Sequence, residues 1–287
     1  MKREFSMDRR AYLKSVGAVG VAGLVSGCQG SETTTEPAED AETDTGAGAT
    51  TDAGAGMTTE GAAGTIVPGT APGFPPFEYR TDEGELVGFD VDLVAEVVGR
   101  TDYQLGEWVD MDFGALIGSL NNGEIDLIAA GMTINDKRDQ QIDFSDPYWE
   151  ANQAVIVRED GDFQPSAVGD LSGHRVGAQS GTTGEDQVEG LIEDGTLSGS
   201  DYRQYDNYTL AVQDLENGNV DAVVIDVPVA ENFAANRAVT IAFTIETGER
   251  FGLGLREDDD RVSAINDALA EVRDDGTYDE LVAEYFE

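Results

Sequence analysis

The segment from Asp126 to Trp149 contains the residue types and spacing best suited to a chemical task, the binding of an anion. An apolar run, residues 127–130, ends at Gly131, and a short polar stretch that carries Arg138 follows. A strand that ends in a glycine turn before a helix presents unpaired backbone N–H groups, which suit a carboxylate. The guanidinium of Arg138 can add two parallel hydrogen bonds to the same group. The segment therefore predicts a carboxylate-binding turn.

An ordinary structural role is the alternative for the same residues. Thr133 is expected to open the polar helix, and its hydroxyl suits a plain helix N-cap as well as a ligand contact. Arg138 would then pair with Asp143 or Asp146 on the surface. The segment on its own leaves both interpretations open.

The surrounding sequence predicts an α/β fold. From residue 65 onward, short apolar runs alternate with amphipathic helical stretches. Apolar residues recur at helical spacing from Phe113 to Leu120 and from Val262 to Val272. The predicted strands are residues 65–67, 104–108, 125–130, 154–157, 175–178, 202–205, 221–225, 239–243 and 251–255.

One pattern occurs twice in the chain. The helix predicted from Phe113 runs to Asn122-Gly123, and the helix predicted from Leu210 runs to Asn217-Gly218. Asn-Gly is a natural left-handed helix cap. A short strand that begins with Ile-Asp or Val-Asp follows each helix. Two similar α/β lobes explain the repeat better than one continuous domain, and chance similarity of two helix-to-strand connections is the alternative.

Charge and composition exclude several kinds of partner. The 287 residues suffice for two domains, and their formal net charge of −41 repels nucleic acid and anionic membranes. Acid excess, with Lys137 the only lysine after residue 27, is typical of a halophilic protein, because concentrated salt screens the self-repulsion. Cys28 and His174 are the only cysteine and histidine, which excludes an intrachain disulfide and a His/Cys metal cluster. No metal and no cofactor are predicted.

Residues 1–27 are predicted to be an export signal of the lipoprotein type. The stretch from Asp8 to Lys14 resembles a twin-arginine motif, and the weakly apolar stretch from Val16 to Val25 is too short to span a bilayer. The sequence from Leu24 to Cys28 resembles a lipobox, the site at which a lipoprotein is cleaved and its cysteine lipidated. Lipid on Cys28 would anchor the protein at the extracellular face of the membrane. A buried free cysteine is the alternative.

Residues 28–63 are expected to form a disordered acidic tether. Threonine, glutamate, aspartate, alanine and glycine dominate this stretch. A stretch with so few large apolar side chains cannot bury enough apolar surface to offset the conformational entropy lost on ordering. The folded part is predicted to begin near Gly64.

Several motifs together are similar to the extracellular solute-binding proteins of amino-acid ABC transporters (family 3, the polar amino-acid type). The resemblance covers about Gly64 to Phe286, and its motifs agree with the family in order and spacing. In chain order, these motifs are Pro75-Pro-Phe-Glu-Tyr, Gly88-Phe-Asp-Val-Asp-Leu-Val-Ala-Glu-Val-Val, Thr133-Ile-Asn-Asp-Lys-Arg, Gln179-Ser-Gly-Thr-Thr and Asp226.

The resemblance implies a type II periplasmic-binding-protein-like fold, in which two α/β lobes are joined by a two-strand hinge. Lobe one would combine residues 64–152 with 246–287, and lobe two would comprise residues 153–245. The hinge strands would lie near residues 154–157 and 240–247. A ligand cleft between two lobes is a common binding site, and hinge closure is the motion expected of such proteins.

The resemblance also assigns ligand-binding roles. Arg138 would pair with the α-carboxylate of an amino acid, assisted by the Gly131 backbone and the Thr133 hydroxyl. Thr182 and Thr183, after Ser180, would close onto the same carboxylate from lobe two. The full set of implied ligand residues is Phe74, Phe113, Ala130, Gly131, Thr133, Arg138, Gln179, Ser180, Thr182, Thr183 and Asp226.

The remaining roles concern the ammonium group and the side chain of the ligand. Asp226 would take the α-ammonium, with the Ala130 carbonyl as a second acceptor. Phe74 and Phe113 would sandwich the ligand side chain, and Gln179 would touch it. Without the resemblance, Asp226 fits a turn residue and Phe113 fits an ordinary core residue.

One departure from the family bears on the ligand. Relatives that bind cationic amino acids or glutamine carry an aspartate before the first aromatic residue, where this chain has Ala71. The departure disfavours lysine, arginine and histidine and puts glutamine in doubt. A neutral or polar amino acid is therefore favoured.

The resemblance implies a binding protein without enzymatic activity that delivers an amino acid to an ABC permease, and we expect a monomer. A dehydratase-type enzyme on the same scaffold is the alternative, since relatives include a cyclohexadienyl dehydratase. Glu78, Glu150 and His174 are then conceivable acid–base residues. A sensory ligand-binding module is disfavoured, because no transmembrane helix follows in the given sequence.

Overall fold

Two five-stranded sheets with packed helices form the part of the chain that the structure, a computed structural model, describes. That part is residues 63–287. The predicted export signal, the lipidation site Cys28 and the predicted tether as far as residue 62 lie outside the described residues.

The first sheet is assembled from strands that are far apart in the sequence. In spatial order its strands are β6 (Val109–Asp110), β2 (Pro68–Thr70), β7 (Leu127–Ile128), β14 (Gly254–Leu255) and β8 (Asp143–Phe144). β2 pairs in parallel with β6 and β7, and β14, from the end of the chain, pairs antiparallel with β7 and β8.

In the sequence, the strands of the second sheet come between the two segments that build the first sheet. In spatial order its strands are β11 (Tyr202–Tyr205), β10 (Val176–Gln179), β12 (Ala222–Asp226), β9 (Trp149–Arg158) and β13 (Val239–Phe251). Its parallel core of β10, β11 and β12 is extended by the antiparallel strands β9 and β13.

The long strands β9 and β13 connect the two sheets. β12 pairs with β9 only from Gln153 to Ile156, whereas the β9–β13 pairing continues to Trp149 opposite Phe251. Phe251 also forms an isolated bridge with Thr133, next to the first sheet. The molecule therefore consists of two α/β lobes joined by two strands. We call the lobe with the first sheet lobe one and the other lobe two, and their predicted bounds stay a prediction.

The remaining elements cover these sheets or lie at their margins. Two small sheets are formed by β1 (Gly64–Ile66) with β5 (Tyr103–Leu105) and by β3 (Tyr79–Arg80) with β4 (Leu86–Val87). Short 3₁₀ helices are Phe113–Ala115, Val168–Leu171 and Gly199–Asp201. The α-helices are α1 (Phe89–Val98), α2 (Leu116–Asn121), α3 (Asp136–Asp139), α4 (Thr183–Glu193), α5 (Tyr208–Glu216), α6 (Val227–Asn236), α7 (Arg261–Asp274) and α8 (Thr277–Phe286).

The predicted repeat corresponds to two helix-to-strand connections of the same kind. Both α2 and α5 end next to an Asn-Gly pair, and Gly123 and Gly218 each have φ of 75°. Glycine adopts this left-handed conformation at little cost, so each helix stops there and the next strand begins. The predicted apolar faces are also buried, as Leu116 and Leu120 in α2 and Ile265 in α7 illustrate.

The predicted strands differ from the observed ones mainly at their ends. The strand predicted at 125–130 is reduced to β7, because Ala129 makes the last sheet contact, to the carbonyl of Gly69, before the chain turns at Gly131. The strand predicted at 239–243 extends to Phe251, since it has β9 as a partner along most of its length. None of the helices within residues 63–287 is long and apolar enough to cross a membrane.

Candidate functional site

A cavity between the lobes contains almost all of the predicted ligand residues. Its lining encloses about 300 Å³ of empty space, open solvent included. Every predicted ligand residue except Ser180 lines it. The full lining is Ala71, Phe74, Glu78, Phe113, Ala130, Gly131, Thr133, Arg138, Gln179, Thr182, Thr183 and Asp226.

Arg138 is buried in this cavity and not on the surface. Only 6 % of the residue is exposed, and its guanidinium donates hydrogen bonds to the carbonyls of Thr133 (2.7 Å) and Gly181 (2.9 Å). The surface ion pair with Asp143 or Asp146 is therefore wrong. Because Gly181 belongs to lobe two, Arg138 links the two lobes across the cavity.

The helix that carries Arg138 begins later than the sequence predicts. Its N-cap is Asn135, whose side chain accepts from the backbone N–H of Arg138 at 2.9 Å, so the interpretation of Thr133 as the N-cap is wrong. Thr133 forms a bridge with Phe251, and Ile134 donates to the carbonyl of Arg250. These two contacts keep the chain extended at Thr133. The Thr133 side chain therefore lines the cavity and does not cap the helix.

The Arg138 guanidinium has carboxylates nearby to balance its charge. Burial lowers the pKa of Arg138, and the carboxylates of Asp186, Asp226 and Glu249 oppose that shift. The guanidinium also stands 5.3 Å from the centre of the Phe113 ring. Arginine remains charged under these conditions, so the cavity holds a fixed cation.

A hydrogen-bonded cluster at the hinge connects the cavity to the crossing strands. Thr133 donates to Glu249 at 2.8 Å, and Gln153 donates to both Asp226 (2.8 Å) and Glu249 (3.0 Å). Thr247 donates a further bond to Glu249 at 2.7 Å. Gln153 lies on β9 and Glu249 on β13, so both hinge strands contribute. No local sequence pattern indicated Gln153 or Glu249.

Asp226 is the last residue of β12 and is buried at the start of α6, without a side-chain cap bond. Burial, with the nearby charge of Glu249, raises the pKa of Asp226 well above its ordinary value. Arg138 and the Gln153 hydrogen bond act in the opposite direction. A second cation beside Asp226 would therefore stabilise its charged form.

The N-terminus of α4 brings lobe two to the cavity. Thr182 caps this helix, and its hydroxyl donates to the carbonyl of Gln179 at 2.7 Å, so that hydroxyl is already engaged. The hydroxyl of Thr183 donates to that of Thr133 at 3.0 Å, a second contact across the cavity. The first amide groups of an α-helix lack intrahelical acceptors and favour an anion.

Ser180 does not reach the cavity. Its hydroxyl accepts from Gln204 at 3.0 Å and its backbone N–H donates to the carbonyl of Tyr205. Side chains alternate in direction along an extended chain, so Ser180 points away where its neighbour Gln179 lines the cavity.

The apolar wall of the cavity depends on Gly131. Its φ is 53°, and a Cβ at this position would lie 2.5 Å from Cε1 of Phe74, so a larger residue would displace the ring. The Gly131 N–H donates to Asp90 at 2.9 Å. Asp90 also accepts from the Tyr148 hydroxyl at 2.7 Å. The predicted assistance of the Gly131 backbone to Arg138 is therefore not available from this N–H group.

Two residues of the lining, Ala71 and Glu78, were not among the predicted ligand residues. Glu78 is only 1 % exposed, and its Oε2 accepts no hydrogen bond from the residues that the structure describes. Burial raises the pKa of Glu78 well above its ordinary value, and the neighbouring Asp90 and Asp226 act in the same direction. The Pro75-Pro-Phe-Glu-Tyr motif was the available signal for Glu78.

The other acid–base residues of the dehydratase alternative lie outside the cavity. Glu150 is exposed. His174 stacks on Phe163 with ring centres 3.7 Å apart and lies 3.9 Å from Asp221. Residues 63–287 also contain no group of three or more His, Cys, Asp or Glu side chains placed to hold a metal ion.

Comparison with known proteins identifies the family. The family model for bacterial extracellular solute-binding proteins, family 3, matches residues 66–287. The chain belongs to this family. Membership confirms the resemblance carried by the sequence motifs and, with the two lobes described above, the type II periplasmic-binding-protein-like fold.

Individual relatives of this family-3 protein are amino-acid-binding proteins. The lysine/arginine/ornithine-binding periplasmic protein of Escherichia coli is 36% identical over 224 residues, 75% of this chain and 84% of the relative. A probable histidine-binding protein of Neisseria gonorrhoeae is 34% identical over 219 residues, 74% of this chain and 80% of the relative. A solved ancestral arginine-binding protein bound to arginine is 37% identical, with a TM-score of 0.73, and the match covers 79% of this chain and 100% of that one. These relatives are binding proteins and not enzymes.

Proposed function

We propose that this protein is the substrate-binding component of an ABC importer, which captures an amino acid between its lobes and delivers it to a membrane permease. One observation carries the proposal: Arg138 and Asp226, a buried cation and a buried carboxyl from different lobes, line the same cavity. An α-amino acid presents one carboxylate and one ammonium on neighbouring atoms. A site for it therefore needs one group of each charge.

The carboxylate of the ligand is proposed to bind at Arg138. The guanidinium donates to two backbone carbonyls, of Thr133 and Gly181, and a carboxylate is a stronger acceptor than a carbonyl. The N-terminus of α4, which begins at Thr183, adds amide donors from lobe two. Arg138 and α4 would thus hold the carboxylate from both sides.

The ammonium of the ligand is proposed to bind at Asp226, with the carbonyl of Ala130 as a second acceptor. Both residues line the cavity. A buried carboxyl with a raised pKa gains most from a cation, because the cation restores the charged form that burial disfavours. The ammonium would supply that charge.

Ligand binding is proposed to stabilise the closed arrangement of the lobes. The Arg138–Gly181 and Thr183–Thr133 contacts already join the lobes across the cavity. A ligand that bonds to both lobes adds to these contacts only in the closed form, and the population therefore shifts towards it. The permease would recognise that form.

The location that we propose is the extracellular face of the cell membrane. The family consists of extracellular proteins. The export signal and the lipobox ending at Cys28 support attachment by a lipid, with a monomeric binding domain held at the surface by the acidic tether.

The side-chain class of the ligand is a separate question. Ala71 supports a neutral or polar side chain, because this small apolar residue lines the cavity where the resemblance in the sequence implies an aspartate for cationic ligands. The relatives named for histidine and for lysine, arginine and ornithine support a cationic one. A cationic side chain requires a carboxyl elsewhere in the cavity.

The test begins with a thermal-shift screen of the twenty amino acids in high salt, since a ligand selective for the folded state raises the melting temperature. Calorimetry of the best ligand then compares the wild type with Arg138→Ala and with Arg203→Ala, a matched change at an exposed arginine. We expect Arg138→Ala to weaken binding by at least ~100-fold, because it removes a charged bidentate partner. Near-normal affinity of Arg138→Ala, or no amino acid bound by the wild type, would contradict the proposed function.

A further inference from the structure

Gln153 stands at the point where the strands of the two lobes separate. On β9 it lies opposite Asp226 of β12 and Ile245 of β13, and from there towards Trp149 β9 keeps only β13 as a partner. Its side chain is fully buried. Side chains directly opposite each other on paired strands are within reach, so those of Gln153 and Asp226 meet at this point.

The amide of Gln153 bridges two carboxyls. Its Nε2 donates to Oδ1 of Asp226 at 2.8 Å and to Oε1 of Glu249 at 3.0 Å, which uses both hydrogens of the amide nitrogen. Its Oε1 is buried and accepts no hydrogen bond from the residues that the structure describes. A buried polar atom without a partner costs about 1–3 kcal/mol. Stability alone therefore does not explain an amide at this position.

Glu249 fixes the orientation of that amide. A carboxylate only accepts hydrogen bonds, and Glu249 accepts from three side chains, those of Thr133, Gln153 and Thr247. If the amide were turned over, Oε1 of Gln153 would face the carboxyls of both Glu249 and Asp226. The nitrogen therefore points to the carboxyls, and Asp226 receives a donor whose position is set by the two hinge strands.

An irregularity in β13 brings Glu249 to this place. The pairing of β13 with β9 shifts between Ile245 and Glu249, where residues 246–248 form a bulge opposite Asn152. The side-chain oxygen of Asn152 accepts from the backbone N–H groups of two bulge residues, at 3.0 and 2.8 Å. Asn152 thereby holds the bulge, and Glu249 reaches Gln153 from the neighbouring strand.

We propose that Gln153 is a positioning residue for the ammonium group of the ligand. Its amide holds Oδ1 of Asp226 and leaves Oδ2 for the ammonium, and Glu249 anchors the amide. Gln153 and Glu249 lie outside the cavity lining, so both act through Asp226. This role rests on the proposed function, because it requires the ammonium to bind at Asp226.

Without the amide, Asp226 would lose the donor that lies between it and Glu249. Burial and then the charge of Glu249 raise the pKa of Asp226. The Asp226 carboxyl would turn away from Glu249 or take up a proton, and the ammonium would lose an oriented carboxylate. The carboxylate of the ligand would be affected little, because the hydrogen bonds of Arg138 go to backbone carbonyls.

The experiment compares the best amino acid from the thermal-shift screen with its 2-hydroxy acid, in which a hydroxyl replaces the ammonium. Calorimetry measures both probes with the wild type and with Gln153→Met, which keeps the approximate volume of the side chain but not its donors. Gln153→Asn, whose amide is one methylene shorter, is a second variant. Gln104→Met, at an exposed glutamine of β5, is the matched control. The exported full chain is used throughout.

We expect the wild type to prefer the amino acid by about 100-fold or more, since the hydroxy acid cannot form an ion pair with Asp226. Gln153→Met and Gln153→Asn should each reduce that preference about 10-fold, the effect of one lost hydrogen bond to a charged group. Their affinity for the hydroxy acid should change by less than about threefold, and Gln104→Met should behave as the wild type. Both probes are measured on the same variant, so a loss of folded protein affects them equally.

Other outcomes separate this inference from the function on which it rests. An unchanged preference in folded Gln153→Met or Gln153→Asn would overturn the role of Gln153 and leave the proposed function intact. An equal loss of affinity for both probes would do the same, because it would show general damage to the site. If the wild type binds both probes equally, the ammonium is not held at Asp226, and the inference fails with that assignment. If no amino acid binds, the proposed function itself fails.

Discussion

The two charged ends of the cavity differ in how far the protein itself satisfies them. At the cationic end, Arg138 has two carbonyl acceptors and the neighbouring threonines bond to each other across the lobes. At the acidic end, Oε2 of Glu78 has no hydrogen-bond partner among the described residues, and burial raises the pKa of both Glu78 and Asp226. The cationic end is preorganised by the fold, whereas the buried carboxyls of the acidic end would be stabilised further by another cation.

This difference indicates that the two ends contribute to binding in different ways. A preorganised group binds with little reorganisation, and any amino acid presents the carboxylate that it needs. Under the proposed function, the buried carboxyls of the acidic end would gain most from the cationic group of the ligand. Substitutions at the two ends should therefore have opposite effects on the ligand-free protein.

The largest effect is expected from Asp226→Asn. Removing the partner of the ligand ammonium should weaken binding by about 3–5 kcal/mol, more than ~100-fold in Kd, since one charge of a buried pair is left unpaired. The ligand-free variant should unfold no more readily than the wild type at pH 7, because asparagine can keep the Gln153 hydrogen bond without a buried carboxyl.

Calorimetry measures the affinity and urea denaturation measures the free energy of unfolding of the ligand-free protein. Asp206→Asn, at an exposed aspartate, is the matched control. A marked loss of stability in Asp226→Asn would show that its carboxylate is satisfied within the protein, and the contrast between the two ends would not hold.

The site residues that the sequence could predict are those carried by a local motif or by the resemblance to the family. The local motif indicated Arg138, which lies in α3, and the resemblance indicated Asp226, the last residue of β12. Glu249 and Gln153 meet through the pairing of β9 with β13, 96 residues apart, and no local pattern reports such a contact. Threonine and asparagine are both common N-cap residues, so the sequence does not distinguish Thr133 from Asn135. The helix begins after Asn135 because the backbone of Ile134 bonds to the hinge strand.

A smaller effect is expected at Asp90, which lies behind the cavity. Burial raises the pKa of Asp90 from 3.8 to about 6, although the Gly131 N–H and the Tyr148 hydroxyl bond to it. A carboxyl with a raised pKa in the folded state contributes stability below its unfolded pKa and loses it as the pH rises through the folded pKa. The ligand-free wild type should therefore lose up to about 3 kcal/mol relative to Asp90→Asn between about pH 4 and pH 6.

The comparison with Asp90→Asn is needed because other carboxyls shift the opposite way. Arg100 and Thr277, for example, lower the pKa of Asp275 to about 2. The titratable groups that face Asp90 are Glu78 from the neighbouring turn, Tyr148 before β9 and Tyr278 of α8. Urea denaturation across this pH range measures the difference, and a difference that stays constant with pH would contradict the raised pKa.

The smallest effect is expected at Ser180, and it tests whether the lining of the cavity is assigned correctly. Ser180→Ala should change Kd by less than about twofold, because the Ser180 hydroxyl bonds to Gln204 outside the cavity. Its neighbour Gln179 lines the cavity, and Gln179→Ala should weaken binding by about 2- to 10-fold through one lost polar contact. The two variants differ by one position on the same chain segment, so calorimetry of both controls for local disturbance. A loss at Ser180 as large as at Gln179 would mean that the end of β10 turns towards the ligand when it binds. The lobe-two contribution would then be larger than the present geometry indicates.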